Sequence, residues 1–137
     1  MGNCRGPPLQ LGLMIFLAAA GALQHANAPA SLIMFASQRI RRVCRSTLTA
    51  ETLALLNLID TAIFLKDILC EILLPDYRAG RDGPPPKNFL PVHFATDCRS
   101  LYDHIVRERS IAQLAEKRLA IDIAGCIDGL RLSLIHI

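Results

Sequence analysis

Two acidic side chains stand where they could do chemistry: Glu51, in the segment TAET, and Asp97, in the segment ATDCRSLYD. Glu51 follows Ser46 and Thr47, which are good helix-start residues, so the pattern predicts it in the opening turn of a helix. Asp97 directly follows the apolar run VHFAT at 92–96, which is predicted to be a strand. The carboxyl end of a strand is where α/β sheets usually bind ligands and metals.

A helix carboxylate and a strand-end carboxylate that face each other would suit Mg²⁺, because hard cations take oxygen ligands. Two such ions, about 4 Å apart, can activate water and stabilise the leaving oxygen in phosphodiester hydrolysis, but they need further carboxylates. Glu51 and Asp97 can each also be explained by their place in the fold alone. The helix dipole favours Glu51 near a helix start, and Asp97 could cap the helix that follows it.

Basic residues are concentrated before this first carboxylate. The first fifty residues contain five arginines and no Asp or Glu, whereas the remainder contains ten basic and twelve acidic residues. Arg39, Arg41, Arg42 and Arg45 form a cluster that could contact the phosphates of a nucleic acid duplex. The alternative is a solvated turn between a strand and a helix. No aromatic residue is interleaved with the arginines, as base stacking would require.

Length and composition limit the class of protein. With 137 residues, 52% of them apolar, the chain is predicted to form one compact domain and not a disordered segment. No apolar run reaches about 18 residues, so no stable membrane span is predicted. The five cysteines lie far apart without a CxxC pair, which argues against a disulfide framework or a zinc site. An intracellular location, cytoplasmic or nuclear, is therefore expected.

The apolar pattern predicts the elements that would carry these residues. Residues 1–10 hold two glycines and two prolines and predict an irregular start. The runs at 11–18 and 30–38, joined by a loop, have strand length and predict an antiparallel pair. Apolar side chains then recur at helical spacing from 48 to 72, so a helix of about 26 residues is predicted after Ser46.

The second half is predicted to mix loops, strands and helices. Residues 75–91 are rich in Pro and Gly and predict a surface loop. After the strand at 92–96, the first turns of a helix are predicted from Ser100 to Arg107. Another is predicted to span 111–130, where Gly125 could break it. A final strand is predicted to begin at Leu132.

Three segments occur in an order that points to a family: RRVCRSTLTAETLAL, then ATDCRSLYD, then EKRLAIDIA. Over about residues 11–137 the chain resembles the ribonuclease H domain at the carboxyl end of copia-type retrotransposon polyproteins. The resemblance implies a ribonuclease H-like α/β fold, a mixed sheet with flanking helices. It also implies Mg²⁺-dependent hydrolysis of RNA in RNA–DNA hybrids, with the rest of a Pol polyprotein as partner. By resemblance, Glu51 and Asp97 are metal-binding catalytic acids.

The chain also departs from this family. The first metal-binding Asp of the family lies on a strand upstream of the segment that begins here at Leu11, but no Asp or Glu precedes Glu51. The last family acid lies beyond the strand predicted at Leu132. We therefore expect a partial domain at 11–137, incomplete in its first strand and its carboxyl-terminal part. Mg²⁺ binding should be weak or absent, and hydrolysis is expected to be lost.

Residues 1–28 fit a second interpretation. Arg5, the apolar run and the segment Ala26-Asn27-Ala28 imitate a secretory signal, although Pro29 is a poor residue after a cleavage site. On that interpretation the chain is an exported, non-enzymatic fragment whose fold serves as an interaction surface. A strand at 11–18 explains the same apolar run without secretion.

Overall fold

The computed structural model describes residues 9–25, 27–86, 88–106 and 114–132. The chain divides into two compact units, Met1–Arg45 and Ser46–Ile137. The described residues of the first unit form a two-stranded antiparallel hairpin, and those of the second form three helices. The predicted mixture of α and β structure is therefore confirmed. The larger mixed sheet that the family resemblance implies is not seen among the described residues, where the hairpin is the only sheet.

The hairpin consists of β1 (Gln10–Ala18) and β2 (Ala30–Arg39). Its strands pair from Gln10 opposite Arg39 to Ala18 opposite Ala30. The register shifts after Ile15, which leaves Ile33 as an extra residue in β2 and forms a β-bulge. A short 3₁₀ turn, Ala22–Gln24, lies in the connection. The predicted antiparallel pair is confirmed, because alternating short apolar runs joined by a loop can pair locally.

The long helix α1 (Thr47–Leu73) confirms the second prediction. Ser46 has extended backbone, and its Oγ accepts a hydrogen bond from the Thr49 N–H at 3.2 Å, which satisfies one of the free amides at the helix start. The helix ends just before Pro75, where the Leu74 N–H donates to the Cys70 carbonyl at 2.8 Å. Residues 75–86 and 88–91 form no helix or strand, as predicted for the loop.

Two shorter helices follow, α2 (Arg99–Val106) and α3 (Lys117–Leu132). The helix predicted at 111–130 starts later than expected, because α3 begins at Lys117 and 114–116 are not helical. Residues 111–113 lie outside the described residues. Gly125 does not break the helix. Leu132 is the last residue of α3 and not the first of a strand, while the rest of that predicted strand, 133–137, lies outside the described residues.

One hydrophobic core holds the helical unit together, and α1 and α3 are its main helix pair. Its buried members come from all three helices and from the segment before α2. They are Leu55, Ile59, Ala62, Phe94, Leu101, Leu119, Ile123, Cys126, Ile127 and Leu130.

Among the described residues, no helix has both the length and the apolar character needed to cross a membrane.

Candidate functional site

Glu51 lies in α1 and is half-buried, but it follows the first turn of the helix, where it was predicted to lie. It is the fifth residue of the helix, and the first turn contains no acidic side chain. The interaction of a charge with the helix dipole falls off within the first turn. The helix dipole therefore stabilises the Glu51 carboxylate less than its predicted position in the first turn implied.

The segment before Asp97 corrects a prediction. Residues 92–96 do not form a strand; only His93 takes part in an isolated bridge. A strand exists only where a partner supplies a ladder of hydrogen bonds, and β1–β2 is the only ladder in the described part of the chain. Asp97 is exposed and lies two residues before α2, so it does not stand at the carboxyl end of a strand.

Asp97 also does not act as a helix cap in the way its position suggested. The Cys98 N–H donates instead to the Thr96 hydroxyl at 3.1 Å. Within the described residues, neither Glu51 nor Asp97 forms a hydrogen bond or an ion pair. The helix cap offered as the structural explanation for Asp97 therefore does not apply, and the residue is exposed.

A shared core holds the two segments that carry these carboxylates. Leu55, one turn after Glu51, and Phe94, three residues before Asp97, are buried members of the same cluster. The start of α1 and the segment before α2 are thus fixed to one core. This gives Glu51 and Asp97 a common support, although the second is on an irregular segment and not on a strand.

The described residues were compared with the ligand sets that metal ions need. No group of three or more His, Cys, Asp or Glu side chains among them is arranged to hold a metal ion. Glu51 and Asp97 would supply two carboxylates, whereas a two-metal centre needs more.

The basic cluster lies where the sequence placed it, between a strand and a helix. Arg39 is the last residue of β2, and residues 40–46 are neither helix nor strand. Arg39, Arg41 and Arg45 are exposed, and Arg42 is half-buried. Three exposed guanidinium groups within seven residues form a short cationic segment that can contact phosphate oxygens.

A buried polar cluster near the carboxyl end of α1 was not predicted. Lys66 is only 7% exposed and Cys70 is fully buried. Asp67 has a buried Oδ1 that finds no hydrogen-bond partner among the described residues. The Tyr77 hydroxyl, nearby, donates to the Gly83 carbonyl at 3.0 Å. The sequence did contain a signal, because positions 59, 62, 66 and 70 continue the helical spacing of the buried side chains.

The described cysteines behave as small buried or half-buried side chains. Among the described residues, Cys44, Cys70, Cys98 and Cys126 form no disulfide. Burial raises the pKa of the Cys126 thiol to about 12, with a smaller contribution from the charges of Asp122 and Asp60. Burial also raises the pKa of Cys70. Because the thiolate is the nucleophilic form, Cys70 and Cys126 are poor nucleophiles.

Comparison with known proteins gives no family. No protein-family model, no curated protein and no solved structure matches this chain. The ribonuclease H interpretation therefore stays a prediction from the three sequence segments.

Proposed function

We propose that this chain is a remnant of the ribonuclease H-like domain of a copia-type Pol polyprotein, and that it binds RNA–DNA hybrid or other nucleic acid without cleaving it. The observation that carries the proposal is the exposed cationic segment containing Arg39, Arg41 and Arg45. It offers phosphate contacts, which supply most of the affinity in binding that does not depend on sequence.

The order of elements supports the assignment to this family. The strand β2, a basic turn and the long helix that carries Glu51 follow one another. In the family, the matching segment likewise runs from a strand through a basic turn to the helix that carries a catalytic acid. The resemblance implies a mixed sheet with flanking helices, and this hairpin would supply two of its strands. We place the protein inside the cell, cytoplasmic or nuclear, where it would meet nucleic acid and the rest of a Pol polyprotein.

The proposed loss of cleavage depends on the set of carboxylates. Two-metal hydrolysis of a phosphodiester needs several acidic side chains to hold two ions close together. Residues 1–50 contain no acidic side chain, so none of them can serve as the first ligand of the family's set. Glu51 and Asp97 remain as the two acids that match the family's motifs.

Binding is tested with fluorescently labelled RNA–DNA hybrid, double-stranded DNA and single-stranded RNA, followed by anisotropy. We expect weak binding that depends on salt and saturates with the hybrid at a lower protein concentration than with single-stranded RNA. Absence of binding to every probe at low salt, by a folded sample, would contradict the proposal.

Cleavage is tested on the same hybrid in Mg²⁺ and separately in Mn²⁺. We expect no products from the wild-type chain or from Glu51→Gln and Asp97→Asn. Cleavage by the wild type that both substitutions abolish would show that these carboxylates still support catalysis, and the proposed inactivity would then be wrong. Cleavage that neither substitution affects would indicate a contaminating nuclease, and a repeat after further purification would decide.

A further inference from the structure

The hairpin presents a large apolar surface to solvent. Residues that are directly opposite in an antiparallel pair lie on the same face of the sheet. Met14 is opposite Phe35, and Phe16 is opposite Leu32. These four side chains therefore share one face, which we call the open face, and each is between 50% and 70% exposed.

The opposite face has a different environment. There Leu11 and Leu13 are buried, at 6% and 8% exposure. Strands that are apolar on both faces are typical of sheets that are covered on both sides. The open face is therefore as apolar as a sheet face that other parts of a protein cover, yet its side chains are exposed to solvent. An exposed apolar patch of this kind marks an interaction site.

We propose that the open face binds the open face of a second copy of this chain, so that two hairpins pack as a small β-sandwich. The surface is suited to itself because its centre carries no charge that would be repelled across a two-fold axis. The nearest charged side chain on that face is Arg39, at one end of the hairpin. Sheets that pack face to face lie about 10 Å apart, which apolar side chains of this size fill.

The area available is sufficient for a weak dimer. A phenylalanine buries roughly 150–250 Å² when covered, so Phe16 and Phe35, at 54% and 70% exposure, still offer roughly 250 Å² between them. Met14 and Leu32, at 65% and 50% exposure, offer a comparable area. Two open faces would together bury about 1,000 Å², which is near the lower limit for a specific interface.

The test is the molar mass of the full chain in solution, measured by sedimentation velocity over a range of concentrations up to tens of micromolar. The wild type should pass from one to two chain masses as concentration rises. Phe35→Lys and Met14→Lys should each weaken association at least about tenfold, because each places a charge at the centre of the interface. Ser31→Lys is the matched control: Ser31 is exposed in the same hairpin but lies opposite Leu17, on the other face.

The outcomes separate clearly. Dimerisation that Ser31→Lys retains and both open-face variants weaken, with unchanged circular dichroism, supports the proposal. A wild type that remains monomeric throughout overturns it, and so does equal weakening by all three variants. Growth of assemblies larger than a dimer would indicate pairing through the strand edges and would also overturn it.

Discussion

Gly129 of α3 lies so close to Ile59 of α1 that a Cβ atom on residue 129 would be 2.7 Å from Ile59 Cγ2. Ile59 is 2% exposed and cannot turn toward solvent. One turn earlier, a Cβ on Gly125 would be 3.4 Å from Leu56 Cδ2, which is an ordinary contact with the end of a flexible side chain. The absence of a side chain at 129 therefore sets how closely the two helices approach.

This contact predicts opposite effects for two similar substitutions. Gly125→Ala should stabilise the protein by up to about 1 kcal/mol, the gain in helix propensity. Gly129→Ala receives the same gain but must displace Ile59 in the core, and overpacking costs about 1–3 kcal/mol. We expect a net loss of about 1 kcal/mol for Gly129→Ala in urea unfolding. Equal effects of the two alanines would contradict this account of the helix contact.

Much of the local structure could be predicted from the sequence because it depends on neighbours along the chain. The helical spacing after Thr47, with Ser46 before it, predicts α1 within one residue. Two short apolar runs predict the hairpin equally well. The turn that carries the arginines could also be predicted, because it is the segment between the end of β2 and the start of α1.

The parts that were missed depend on contacts that are distant in sequence. The segment 92–96 has strand composition, but it is not part of the one sheet that the described residues form, so Asp97 could not be placed correctly from its neighbours. Gly125 has low helix propensity, yet packing of α3 on α1 keeps the helix intact there. Lys66 was missed because a lysine at a buried spacing is uncommon.

The helix start gives a second prediction. Ser46→Ala removes the hydroxyl that accepts from the Thr49 N–H and leaves that amide without its cap. The free energy of unfolding should fall by about 1 kcal/mol, whereas Ser46→Asp, which keeps an acceptor, should lose much less. Ser31→Ala, at an exposed site in β2, is the control and should change stability by less than about 0.5 kcal/mol. If Ser46→Ala and Ser31→Ala had the same free energy of unfolding, the hydrogen bond from Thr49 to Ser46 would not be a stabilising contact.

The raised pKa of Cys126 gives a third prediction. In the unfolded chain the thiol loses its proton near its ordinary pKa of 9.0, but in the folded chain it keeps the proton up to about 12. Between these values the unfolded state binds fewer protons, so the free energy of unfolding falls as pH rises, by at most about 1.4 kcal/mol per pH unit. Below pH 9 this contribution is fully present and constant.

Cys126→Ala removes that dependence. Unfolding curves recorded from pH 8 to the alkaline limit should show a shallower loss of stability for Cys126→Ala than for the wild type, although the variant is less stable at pH 8 because its packing is poorer. Cys98→Ala, which removes a half-buried thiol, controls for the loss of a cysteine as such. Parallel pH profiles for wild type and Cys126→Ala would show that this thiol contributes nothing to the alkaline loss.

The cationic segment gives the last prediction, on nucleic-acid binding. Each arginine that neutralises a phosphate releases counterions, so the logarithm of the binding constant falls with the logarithm of salt concentration in proportion to the number of contacts. Arg41→Ala/Arg45→Ala should therefore weaken binding to RNA–DNA hybrid and lower the salt slope by about 2 if both residues contact phosphates. The matched control is Lys117→Ala/Arg118→Ala, which removes two exposed cations from α3 and lowers the net charge by the same amount. A similar change in slope for both double variants would mean that net charge, and not this segment, attracts the nucleic acid.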